Sequence, residues 1–120
     1  MYRLIVMSEG INHAAWKHGV WNHGVKLFND GHYWECHEAL EPLWLKATGL
    51  DKHFYAGIIL LAAALHKARV MNSARGGRRN YAKALVHLAL IPDIYLDIEV
   101  RVLEANVHSA LSKPRETPRL

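Results

Sequence analysis

The stretch YWECHEALEPLW, positions 33–44, holds four side chains whose types and spacing can do chemistry: His37, Glu38, Glu41 and Trp44. On a helix turning ~100° per residue, with Tyr33 at zero, His37 falls at about 40°, Glu41 at about 80°, Trp44 at about 20° and Leu40 at about 340°. The pattern predicts that Tyr33, His37, Leu40, Glu41 and Trp44 share one inward arc roughly 100° wide, the width of a buried stripe. Glu35, Ala39, Pro42 and Lys46 fall opposite, toward water. Pro42 removes the backbone bond to Glu38, so a bend or break is expected there.

Two ionisable groups on a buried stripe need partners, because a buried carboxylate left alone costs several kcal/mol or becomes neutral. One solution is mutual: His37 and Glu41 stand at i,i+4 and can bond each other. The other is a metal ion, since imidazole and carboxylate one turn apart present two ligands to one point, as in H-E-x-x-H zinc helices. In HEALE, Glu41 stands where that motif has its second histidine, and Glu38 where it has its general base. The donor set suits zinc, manganese or iron. The third ligand is expected to be His66, which shares a stripe with Tyr55, Ile59 and Ala62; its structural alternative is a core histidine bonded to a carbonyl or to Glu41. His87 falls away from the stripe expected on its own helix and is predicted to be exposed.

Helices must position these groups. Helical spacing recurs along the chain and sustained alternation is absent, which predicts an all-α fold: a compact helical bundle of about five helices with a central apolar helix. A first helix is expected from Asn12 or Gly19 to Phe28, weakened by Gly19 and Gly24. FNDG then breaks the chain, and a second helix runs from Gly31 to about Ala47, ending near Gly49. Asp51 is expected to cap a third helix that continues to Asn72; FYAGIILLAAAL leaves it no polar side for four turns, so neighbours must cover it on several sides. NSARGGRRN reads as a break, followed by a fourth helix from Arg78 to Leu90 with Tyr81, Ala84, Leu85 and Leu88 inward. A last helix begins after Asp97 as cap, with Val100, Leu103, Val107 and Leu111 inward.

Composition sets the limits. The chain has 120 residues, a net charge of +4, nine histidines and one cysteine. That length suits one domain, expected over residues 1–111 with 1–18 peripheral, followed by a flexible basic tail over 112–120 in which Pro114 and Pro118 oppose helix and little can be buried. A lone Cys36 excludes an internal disulfide. The longest apolar run, Phe54 to Leu65, falls short of the ~20 residues that span a bilayer. MYRLIVM lacks the cleavage pattern of a secretory leader, and together these predict a soluble cytoplasmic protein. His13, His18 and His23 are five residues apart, about 140° beyond a full turn, and so cannot share a face. Trp16, Trp21 and Trp34 exceed what so small a core needs, which predicts a homodimer contact.

The segment LFNDGHYWECHEALEPLW followed by an apolar helix resembles domain-of-unknown-function family 309, small helical proteins of bacteria and archaea. The resemblance rests on H-x-x-x-E-x-x-W/Y, matched by His37, Glu41 and Trp44, and on F-N-x-G-x-Y/F, matched by Phe28, Asn29, Gly31 and Tyr33. It continues through Gly57, the alanine run, His66, Asn72 and Gly76 to Pro92 and Asp97, roughly residues 20 to 110. It implies an all-helical fold and metal binding at the motif, and names no shared activity. Family members often carry glutamines around the glycine matched by Gly57, where this chain has Ala56 and Leu60; Pro42 inside the motif is a second departure.

Three functions are compatible with these residues. One is a divalent-metal site on His37, Glu41 and His66, hydrolytic with Glu38 or a metal-bound water as base, its pocket lined by Phe28, Asn29, Tyr33 and Trp44. Another is a non-catalytic interaction or dimerisation module in which His37–Glu41 is a buried hydrogen-bond network. The third is phosphate or nucleic-acid binding through Arg75, Arg78 and Arg79, with Lys67, Arg69 and Lys83 adding to the patch. This third reading is the least favoured, and nucleic acid is not expected as a partner, because one such cluster usually marks a solvated turn and no aromatic set is interleaved to stack bases.

Overall fold

The computed structural model describes residues 9–113 and 117–120, with side chains from residue 15 onward. Its helices are α1 (Glu9–Asn29), α2 (Tyr33–Lys46), α3 (Gly49–Arg69), α4 (Ala74–Leu88) and α5 (Val100–Ser112). A two-stranded antiparallel ribbon, β1 (Ile94–Tyr95) and β2 (Ile98–Glu99), precedes α5. The all-α expectation holds, with this small ribbon added. The expected peripheral character of residues 1–18 lies in part outside the described residues.

The apolar run of α3 forms the centre. Phe54, Ile58, Leu61 and Leu65 are fully buried, and the helix packs against α2, α4 and α5. Burying each such side chain contributes about 1.5–3 kcal/mol. Two glycines permit the closest contacts. A Cβ on Gly57 would overlap Leu88 of α4, and one on Gly24 would overlap Leu40 of α2. Gly24 and Gly57 therefore lower helix propensity but let neighbouring helices approach. One strip of α3 stays uncovered: Ile59, Leu60 and Ala63 are only partly buried, so the helix is not enclosed on every side as its composition suggested.

Several boundaries differ from the sequence expectation, each for a local reason. Gly31, at φ +82°, makes the turn between α1 and α2, a conformation glycine adopts without a steric penalty. Pro42 neither ends nor breaks α2, which runs unbroken to Lys46; its ring lies on the exposed side. The first residue of α4 is Ala74, not Arg78, because the Ser73 hydroxyl accepts the Gly76 N–H at 3.0 Å and caps the helix. Asp51 is not a cap; its carboxylate accepts the Tyr95 hydroxyl, tying β1 to α3. Asp97 is not a cap either: with Leu96 it forms the ribbon's turn, both at positive φ.

Two arginines close helix ends. Arg101 on α5 donates to the Leu88 and Ile91 carbonyls at 2.6 and 2.9 Å, satisfying the end of α4. Arg69 on α3 donates to the Ala110 and Lys113 carbonyls at the end of α5 and to the Tyr33 hydroxyl of α2. The tail expectation is corrected at its last residues: Pro118 is buried, and the Leu120 N–H donates to Asn29 Oδ1 at 2.8 Å. Among the described residues, no helix is long and apolar enough to cross a membrane.

Candidate functional site

The buried side of α2 is made by Tyr33, Cys36, Leu40 and Leu43. Its centre lies about 60° from the arc that the aromatic spacing marked. His37 and Trp44 are therefore partly buried at the edge of the stripe, and Glu41 is exposed. This corrects the inward placement of His37 and Glu41. Nor do these two form the buried hydrogen-bond network expected: no hydrogen bond joins them, and Nδ1 of His37 is buried without a partner.

The edge of the stripe faces the uncovered strip of α3, and together they enclose a pocket of ≈ 270 Å³. Its floor is Ala56, Ile59 and Leu60 of α3 and the ring of Trp44; His37 and Glu41 border it from α2, and His87 from α4. His87 was expected to be exposed and is instead part of the pocket wall. The buried side of α4 is Gly77, Ala84 and Leu88, and His87 lies about 80° from its centre, which is also the offset of His37 on α2. Two histidines at matching offsets on two helices thus meet across one gap.

Behind His87 stands His53. Their Nδ1 atoms are 3.0 Å apart, so one ring donates and the other accepts through a neutral nitrogen. Burial, then the neighbouring His53, holds the His87 imidazole below its ordinary 6.5. Lys52 covers the outer side of Trp44, its Nζ 4.6 Å from the ring centroid and donating to the Trp44 carbonyl. Trp34 stacks on His37 at 4.8 Å and nearly parallel, and its ring also lies 5.4 Å from that of His66.

The remaining predicted site residues are dispersed. His66 contacts Trp34 but does not line the pocket, and Glu38 is exposed outside it. Phe28 and Tyr33 are core residues in edge-to-face contact at 5.5 Å, and Asn29 holds the C-terminal residue. Burial raises the Tyr33 hydroxyl above its ordinary 10.0, partly offset by Arg69. Arg75 and Arg79 border a separate basic concavity, while Arg78 does not line it. Among the described residues, no three histidine, cysteine, aspartate or glutamate side chains stand close enough to hold a metal ion. His18 and His23 are exposed, and the His13 side chain lies outside those described. Trp16 and Trp21 pack against the core, Trp21 on Phe54 and Tyr55, which leaves Trp34, 46% exposed, as the tryptophan open to a second copy. A larger cleft, ≈ 600 Å³, separates α1 from the ribbon, but Asp51 on its wall already accepts the Tyr95 hydroxyl.

The sequence pattern of the family described as Domain of unknown function (DUF309) matches residues 21–80, half of the chain and the segment that carries His37, Glu41 and Trp44. The chain belongs to the DUF309 family. Among solved structures similar to this DUF309 protein is the crystal structure of a conserved hypothetical protein from Thermus thermophilus. It is 38% identical, with a TM-score of 0.68 over 76% of this chain and 94% of that one. No curated protein matches the DUF309 chain.

Proposed function

We propose that this DUF309 protein is a ligand-binding helical module and that the pocket between α2, α3 and α4 is its binding site. One observation carries this: His37 borders the pocket, and its Nδ1 is buried and unbonded. A buried nitrogen without a partner costs about 1–3 kcal/mol, and a ligand that shifts the side chains covering it and supplies a partner recovers part of that cost. The floor of Ala56, Ile59, Leu60 and Trp44 suits an apolar body, and the Glu41 carboxylate at the rim suits a cationic or hydrogen-bond-donating end. A small aromatic or aliphatic amine fits this description. Titration of such amines, followed by tryptophan fluorescence or amide chemical shifts, is expected to saturate. His37→Ala and Glu41→Gln should each weaken binding, and indifference to both excludes the site.

A second reading, a divalent cation such as zinc, manganese or iron, is favoured by the same unbonded nitrogen. His37 and Glu41 would offer the ion two donors; His87 borders the same pocket but does not stand close enough to them to complete a three-ligand set. A bound ion would supply Lewis-acid polarisation of a ligand oxygen. The pocket gives little support to hydrolysis with Glu38 as base, because Glu38 faces solvent away from it. Elemental analysis after zinc or manganese loading of untagged protein decides between occupants. Near-stoichiometric metal that His37→Ala abolishes supports the cation; binding of amines without metal uptake supports the first reading.

A further inference from the structure

A second concavity, of ≈ 500 Å³, opens where the end of α3 meets the start of α4. Its chemistry is entirely different from that of the His37 pocket. Lys67 reaches it from α3, and Arg75, Arg79 and Lys83 from α4; no acidic side chain lines it. Among the described residues, none of the four cations takes part in an ion pair or a side-chain hydrogen bond. Like charges gathered around a hollow repel one another, and an anion placed among them removes that repulsion.

The local backbone holds the arrangement in place. Ser73 caps α4 through the Gly76 N–H, and a Cβ at Gly76 would stand 2.8 Å from the Ser73 hydroxyl and 3.3 Å from Lys67 Cδ. Any larger residue there displaces either the cap or the lysine.

We propose that this concavity binds the diphosphate group of a small molecule through Lys67, Arg75, Arg79 and Lys83. Charge and shape both select this class. Four positive groups around one hollow match a compact, multiply charged anion, and arginine can meet phosphate oxygens through two N–H groups at once. A nucleic-acid strand would also need rings to stack its bases, and the lining contains no aromatic residue. The proposal is independent of whatever occupies the His37 pocket.

Inorganic pyrophosphate is the probe. Isothermal titration of the full chain at low salt is expected to show one saturable site that weakens as salt is raised. Arg79→Gln and Arg75→Gln should each lower affinity about tenfold or more, the loss typical of one charge-assisted contact. Arg78→Gln, whose side chain lies outside the lining, should leave affinity unchanged. Arg75, Arg78 and Arg79 are exposed, so these changes leave the core intact; Lys83→Gln, also exposed, repeats the test about two turns beyond Arg75 on α4. No saturable binding at low salt overturns the proposal. So does a loss with Arg78→Gln equal to that with Arg79→Gln, which indicates only a diffuse positive surface. A short single-stranded RNA that binds more tightly than pyrophosphate and depends on the same arginines assigns the hollow to nucleic acid instead.

Discussion

The approach of α3 to α4 sets the width of the His37 pocket, because Ala56 and Leu60 are carried by one helix and His87 by the other. Gly57 controls that approach. A Cβ at position 57 would overlap Cγ and Cδ2 of Leu88 and lie 3.2 Å from Cδ1, inside the 3.4–4 Å of ordinary contact. Gly57→Ala gains about 1 kcal/mol of helix propensity. Overpacking costs about 1–3 kcal/mol, and overlap with a fully buried branch point places the cost near the top of that range. The net loss should be about 2 kcal/mol. Leu88→Ala alone should cost about 3 kcal/mol, within the span for buried leucine. In the double variant the overlap is gone, the propensity gain remains, and the new methyl refills part of the space for about 0.8 kcal/mol. The pair should therefore lose only about 1 kcal/mol, far less than the two single losses together. Urea denaturation followed by circular dichroism at the helix band measures all three. Additivity within about 0.5 kcal/mol, the behaviour of independent sites, would mean that Gly57 and Leu88 do not meet and that the α3–α4 spacing has another cause.

Cys36 is fully buried, and burial raises its thiol to about 12, so Ellman's reagent should leave it unmodified in the folded protein and label it on denaturation; rapid labelling under native conditions contradicts the placement of α2. His87 titrates below its ordinary 6.5 in the folded chain, so the unfolded chain takes up that proton first and stability is lost as pH falls from about 6.5 through the depressed value. His87→Gln should flatten that part of the stability profile, and a slope equal to that of the parent protein rules the effect out. Glu104 behaves oppositely: burial, opposed by Arg101, raises it above its ordinary 4.5, so its contribution is complete below 4.5 and declines as pH rises through the raised value. Glu104→Gln is expected to raise stability at neutral pH relative to pH 4, and equal effects at both pH values contradict this. Trp34→Ala should shift a dimer toward monomer in sedimentation velocity if a second copy covers that face; an unchanged sedimentation coefficient excludes Trp34 from the contact.

The helices were legible because their apolar spacing is physical: Val100, Leu103 and Val107 fall inward as their period requires, and the α3 run is central. Helix phase was less legible. On α2 the aromatics dominated the wheel, while Cys36 and Leu43, plainer residues, mark the true buried centre. Weighing those two equally would have placed His37 at the edge, where the structure has it. On α4, reading Gly76-Gly77 as a break hid the first turn, so Gly77 could not serve as a phase marker and His87 was assigned to solvent. The ribbon at 94–99 carries no signal of its own: its strands are two residues long and its turn uses Leu96 and Asp97 rather than glycine or asparagine. Nothing local in the sequence reports the His53–His87 contact, which spans 34 positions and exists only once α3 and α4 have docked.

The two arginines that complete helix ends also determine how the molecule comes apart. The Leu88 and Ile91 carbonyls at the end of α4 accept from Arg101 of α5 in addition to the local backbone bonds there, and the Ala110 and Lys113 carbonyls at the end of α5 accept from Arg69 of α3. Fraying at either terminus therefore also breaks bonds to a neighbouring helix, so amide exchange near Leu90 and Ile91 should be slower than in an Arg101→Ala variant. Opening becomes a shared event across three helices instead of a private one at each tip.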